Sequence, residues 1–201
     1  MDVILSPDEV DVQECDVLVV GFFEDERPLR GSSGWIDWRL NGMLSHFLME
    51  RRLTGEWREV TLIPSQGRVV PRLILLFGLG KVKEYSYLRL REFSPYLLKA
   101  LRKLNRSEVC LSFPCEGGCN VDCGKLVEVL IEGIADGLDF GYGGFEAWIR
   151  GLRIFFAEGE KRLPEILLGV QTAKSILEDR IEIRILTPSH LLPRVHASDD
   201  L

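Results

Sequence analysis

Between Cys15 and Phe23 the chain reads CDVLVVGFF, a nearly unbroken apolar run rich in Val and Phe. A strand with one face in water alternates apolar and polar residues. An unbroken run this short instead reads as a strand buried on both faces, which requires covering layers on either side of its sheet. The rest of the chain supplies them. Trp35, Trp38, Leu40, Leu44, Phe47 and Leu48 recur mostly at three- and four-residue spacings and predict one amphipathic helix from Trp35 to Leu48. Glu59 to Pro64 and Arg72 to Gly78 are short β-rich runs closed by Pro or Gly. Leu90, Phe93, Leu97, Leu101 and Leu104 mark a long helix from Tyr87 to Leu104, with a kink expected at Pro95. A strand at Glu108 to Phe113, a helix from Asp122 to Leu138, a strand at Leu152 to Phe156, a helix from Pro164 to Leu177 and a strand at Ile181 to Leu186 complete the series. This alternation predicts a three-layer α/β domain, with helices on both faces of a mixed, largely parallel sheet.

The chain has 201 residues, 46% of them hydrophobic, which suffices for one domain with a substantial core. That domain is expected to span residues 1–187, followed by an aperiodic, mobile tail at 188–201. With 25 Lys+Arg against 31 Asp+Glu the net charge is -6, which gives no long-range attraction for nucleic acid or a membrane surface. The N-terminal segment has no signal-peptide pattern and no apolar run reaches the length of a membrane span, so a cytoplasmic location is expected. Five cysteines in a chain this large fit reduced thiols better than a disulfide framework.

Three patches resemble the leucyl aminopeptidase family. The first runs from Asp16-Val17-Leu18-Val19-Val20-Gly21 through Glu24-Asp25-Glu26 to Gly31-Ser32-Ser33-Gly34-Trp35-Ile36-Asp37. The second is Arg72-Leu73-Ile74-Leu75-Leu76-Phe77-Gly78-Leu79-Gly80-Lys81. The third extends from Glu132-Gly133-Ile134 to Gly141-Tyr142-Gly143-Gly144-Phe145-Glu146-Ala147-Trp148. The resemblance covers roughly residues 14–185 and implies the family's amino-terminal, macro-domain-like fold. The chain ends where the family's zinc-dependent catalytic domain would begin. The Asn-Thr-Asp-Ala-Glu-Gly-Arg segment of that domain has no counterpart, so no catalytic residue carries over. Peptide hydrolysis by this chain alone is not expected, and no cofactor motif is present.

Gly31, Ser32, Ser33 and Gly34 open a predicted helix, where backbone amides and hydroxyls could receive a phosphate or carboxylate. Macro domains, which the implied fold resembles, hold the diphosphate of ADP-ribose at a comparable helix start. The competing reading is a serine N-cap with glycines for a tight entry. Gly78-Leu79-Gly80-Lys81 lacks the spacing of a phosphate loop and reads as a strand-to-helix turn. Cys115, Cys119 and Cys123 are spaced like soft-metal ligands but lack a fourth partner, so the main reading is a glycine-rich loop whose cysteines are core or surface residues. The basic face of the helix from Tyr87 to Arg106 reads as solvated rather than as a nucleic-acid site. The expected function is an assembly or regulatory interaction module that associates with itself or with a protein partner. A nucleotide or ADP-ribose binding module and a subunit of a split metallo-aminopeptidase are the alternatives.

Overall fold

The computed structural model describes residues 1–115, 119, 121–137 and 145–188, with the backbone alone at 145 and 146. Among the described residues, seven strands form one sheet: β1 (Asp2–Ser6), β2 (Val17–Phe22), β3 (Val60–Pro64), β4 (Leu73–Gly78), β5 (Glu108–Ser112), β6 (Arg153–Ala157) and β7 (Arg184–Leu186). Their order is β3-β4-β2-β5-β6-β1-β7. Among these seven, β3 runs antiparallel, against β4, and the other pairings are parallel. The helices are α1 (Gly31–Arg39), α2 (Met43–Met49), α3 (Tyr87–Leu104), α4 (Cys123–Asp136), α5 (Phe145–Arg150) and α6 (Leu163–Ile176).

The apolar run from Cys15 to Phe23 contains the central strand β2, all of whose residues are buried. Val17 and Val19 point into a core shared with α3, α4 and α6, while Leu18, Val20 and Phe22 point into a second core under α1 and α2. The alternation of a strand is present, but both faces are apolar because both are covered.

Helix α4 is the middle of the first layer, and glycines let its neighbours approach closely. A Cβ on Gly133 would lie 2.6 Å from Arg91 O of α3 and 2.7 Å from the Ser94 side chain. Pro95 has no N–H to offer Arg91 O, so the proline that stands inside α3 falls where α4 comes closest. Ser94 Oγ donates to Leu90 O and lies equally near Leu130 O of α4, at 3.1 Å each, which satisfies a fully buried hydroxyl. At the far end of α4, Asp136 accepts from Arg91 and Arg180. Partial burial opposes its charge, but these hydrogen bonds outweigh that and hold the carboxyl below its ordinary value.

The single helix expected from Trp35 to Leu48 is two. Asn41 and Gly42 both adopt positive φ, 58° and 75°, and end α1. The buried Asp37 joins the pieces: its carboxylate accepts from Leu44 N at 2.7 Å and Ser45 N at 3.0 Å, capping the start of α2. Strand β1 and helix α5 were not foreseen. Strand β1 inserts between β6 and β7, and Glu108, Arg153, Asp2 and Arg184 then stand in one row across β5, β6, β1 and β7. Their charges alternate, with ion pairs Arg153–Glu108 and Arg184–Asp2. The expected strand at Ile181 to Leu186 is shorter, Arg184–Leu186, and pairs with β1. Residues 138–144, in the middle of the third resembling patch, and 189–201, most of the expected tail, lie outside the described residues. Among the described residues no helix is long and apolar enough to cross a membrane.

Candidate functional site

Strands β2 and β5 are adjacent and parallel, yet the helices that follow them pack on opposite faces, α1 with the second core and α4 with the first. Connections diverging from neighbouring strands open a crevice at their carboxyl ends, the usual ligand position in such sheets. A cleft of about 270 Å³ lies there, lined by Gly21, Glu26, Arg30, Gly31, Ser32, Ser112, Phe113, Pro114, Cys115, Glu158 and Arg162. The loops after β2, β5 and β6 each contribute to it.

Of the four residues singled out at the helix start, Gly31 and Ser32 line the cleft. Gly31 has φ 55° with open space around it, so glycine is there for its backbone conformation. Ser33 is buried and donates to Arg30 O at 2.8 Å. The expected serine cap is absent: the N-cap position is Arg30, and its side chain makes no capping bond. Gly34 serves packing, since a Cβ there would lie 2.5 Å from Leu29 O. In the Gly78 to Lys81 turn, Gly80 has φ 71°, as a strand-to-helix turn requires, and a Cβ on Gly78 would collide with Glu56 O.

The cleft carries its own anions. Ser112 Oγ lies 2.6 Å from Glu158 Oε1 and 2.6 Å from Ser32 Oγ. With one proton, the Ser112 hydroxyl donates to the carboxylate and accepts from Ser32. This chain ties the start of α1 to the ends of β5 and β6 through a negative group. Burial pushes the Glu26 carboxyl up, against the opposing pull of Arg30. Two guanidiniums and two carboxylates thus share the space, which is balanced rather than positive. One wall is held by Tyr85, whose hydroxyl donates to Pro114 O at 2.9 Å and whose phenol burial pushes well above its ordinary range.

Cys115 and Cys123 form a disulfide, while Cys15, Cys110 and Cys119 are thiols. The expectation of uniformly reduced cysteines is corrected here, because the loop after β5 brings the two sulfurs together at the start of α4. A disulfide offers no thiolate, and among the described residues no group of three or more potential ligands is placed to hold a metal. On α3, Arg89 pairs with Glu84 and Arg91 with Glu132 and Asp136, and just beyond its end Arg106 pairs with Asp16, so part of the positive charge of this segment is neutralised within the fold. Sequence reading missed Arg30, Ser112, Glu158 and Arg162, which share no motif and meet only because three strands end together.

Residues 19–139 match the cytosol aminopeptidase family, N-terminal domain. The chain belongs to that family. A probable cytosol aminopeptidase of Sulfurihydrogenibium sp. is 25% identical over 134 residues, 67% of this chain and 26% of that protein. The chain spans about a quarter of the length of the curated relatives it matches. Among solved structures, a tomato leucine aminopeptidase variant superposes with a TM-score of 0.57 at 16% identity, covering 88% of this chain and 37% of that one. A Trypanosoma brucei macrodomain, solved in complex with ADP-ribose, superposes with a TM-score of 0.58 at 18% identity over 84% of this chain and 68% of that one. This cytosol aminopeptidase N-terminal domain therefore has the macro-domain-like α/β fold.

Proposed function

We propose that this domain is a non-catalytic assembly module, which self-associates through the outer face of α1. The observation that carries the reading is a pair of stacked indoles. Trp35 and Trp38 lie one turn apart, with ring centroids 5.0 Å apart and planes at 27°. They are 43% and 64% exposed. A single exposed aromatic needs no explanation, but two large rings stacked on one helix face form the kind of anchor that dominates protein interfaces. The balanced charge of the cleft supports the same reading, because Glu26 and Glu158 in its lining oppose an anionic ligand. Replacing both tryptophans with alanine is expected to weaken association by a factor of about a thousand, at about 2 kcal/mol per anchor. Sedimentation at matched concentrations checks this, and circular dichroism checks that the fold is kept.

A second reading, a nucleotide or ADP-ribose module, is favoured by Arg30 and Arg162 lining a crevice at the sheet's switch point. A saturating ligand at about a hundred times its dissociation constant adds about 2.7 kcal/mol of stability. On the assembly reading, a thermal-shift titration with ADP-ribose gives no saturable shift. A saturable shift that grows in Glu158→Gln, where the competing charge is gone, would move the function to the cleft.

A further inference from the structure

The wall of the cleft carries chemistry that the assembly reading does not use. Cys123 is the first residue of the 14-residue helix α4 and is buried, whereas Cys115 is half-buried and lines the cleft. Arg162 Nη1 lies 2.9 Å from Cys115 Sγ and 2.8 Å from Cys123 Sγ. A guanidinium against both sulfurs and a helix start beneath one of them are the two surroundings that stabilise a thiolate over a thiol. Carboxylates temper this: Glu165 Oε1 accepts from Cys123 N at 2.8 Å, Asp122 caps α4, and Glu158 borders the same small space as the disulfide. Of these groups, only the guanidinium touches the sulfurs within hydrogen-bond distance.

We propose that Cys115–Cys123 is a reversible thiol–disulfide site, reduced from the cleft by a dithiol, with Arg162 holding the thiolate that leaves. A thiolate of the dithiol attacks Cys115 Sγ, the accessible sulfur. The Cys115–Cys123 bond breaks, its electron pair stays on Cys123 Sγ beside Arg162, and a mixed disulfide forms at Cys115. The second thiol of the reductant loses its proton and attacks its own sulfur in the mixed disulfide. Cys115 leaves as a thiolate and takes up a proton. Two electrons have passed to the protein, and the dithiol has become a cyclic disulfide. Reduction releases Cys115, on the cleft wall, from Cys123 at the start of α4, so the cleft wall changes with the redox state of its surroundings. This inference does not depend on what, if anything, the cleft binds.

The test is equilibration of the chain over a series of reduced-to-oxidised dithiothreitol ratios, acid quenching, alkylation under denaturing conditions and mass spectrometry. The chain has five cysteines, of which three are thiols in this state. The expected result is a single midpoint at which labelling passes from three to five sites, with Cys115 and Cys123 gained together. Cys119→Ser is expected to keep that midpoint. Arg162→Gln is expected to need a ratio about tenfold more reducing, and Arg162→Lys to restore most of the difference. Iodoacetamide should also modify reduced Arg162→Gln more slowly at neutral pH than the reduced parent, a difference that a purely structural role would not produce. Five labels at every ratio, three labels until the protein is denatured, loss of the midpoint in Cys119→Ser, or coincident curves for Arg162→Gln and the parent would each overturn the proposal.

Discussion

Gly169→Ala is expected to destabilise the domain by about 3 kcal/mol, at the upper end of what overpacking costs. A Cβ on Gly169 of α6 would collide with the carbonyl oxygen of Gly124 in α4 and stand 2.7 Å from its carbonyl carbon. Backbone lies on both sides of the contact, so no side-chain rotation relieves it and the two helices must separate. Alanine is the better helix former by about 1 kcal/mol, which acts in the opposite direction. The collision wins because separating α4 from α6 loosens the layer that holds Leu126, Leu130, Ile166 and Val170, all buried in the first core. Gly67 is the control: it has φ 71° and open space, so alanine there meets only the positive-φ term of about 1 kcal/mol. Urea titrations of the three proteins measure the difference. Equal midpoints for Gly169→Ala and the parent would contradict the close α4–α6 approach.

Phe93→Ala is expected to cost about 4 kcal/mol, within the range for emptying a fully buried aromatic site. Phe93 is 0% exposed and joins α3 to the sheet. Its ring meets Phe77 of β4 edge-on at 4.5 Å and 83°, and Phe113 beyond β5 at 5.4 Å and 74°. Trp57 packs against it from outside at 6.2 Å. Truncation removes burial and three ring contacts at once, and the flanking glycine and proline contacts of α3 with α4 leave little room to collapse into the void. Phe93→Leu, which keeps most of the volume, should lose less than half as much. Thermal and urea unfolding followed by circular dichroism check both. A loss below about 1.5 kcal/mol for alanine would mean that this ring is not a centre of the core.

Most of the layer architecture could be read from apolar patterning, because the central strands are buried on both faces and α3 carries an apolar stripe at three- and four-residue spacings. What failed had physical causes. Strand β1 is five residues long and takes its place from β6 and β7, which lie far along the chain. No local pattern carries that information. The split between α1 and α2 was written in Asn41-Gly42, a helix-ending pair, but apolar spacing continues across it and masked the stop. The helix start at Gly31 was found by its glycines and serines. The groups that give the cleft its character were not, since Ser112, Glu158 and Arg162 come from separate loops and meet only in the fold. The disulfide was hidden for another reason: composition argued for reduced thiols, whereas pairing depends on where the loop after β5 returns to α4.

The central claim is that this N-terminal domain assembles through Trp35 and Trp38. Sedimentation velocity of the unmodified chain, run from about 1 to about 100 µM and beside the Trp35→Ala/Trp38→Ala variant, tests it most directly, since this range brackets dissociation constants worth about 5 to 8 kcal/mol. The account predicts a sedimentation coefficient that rises with concentration for the parent and stays at the monomer value for the variant. A parent that is monomeric throughout, or a variant that associates equally well, would contradict it.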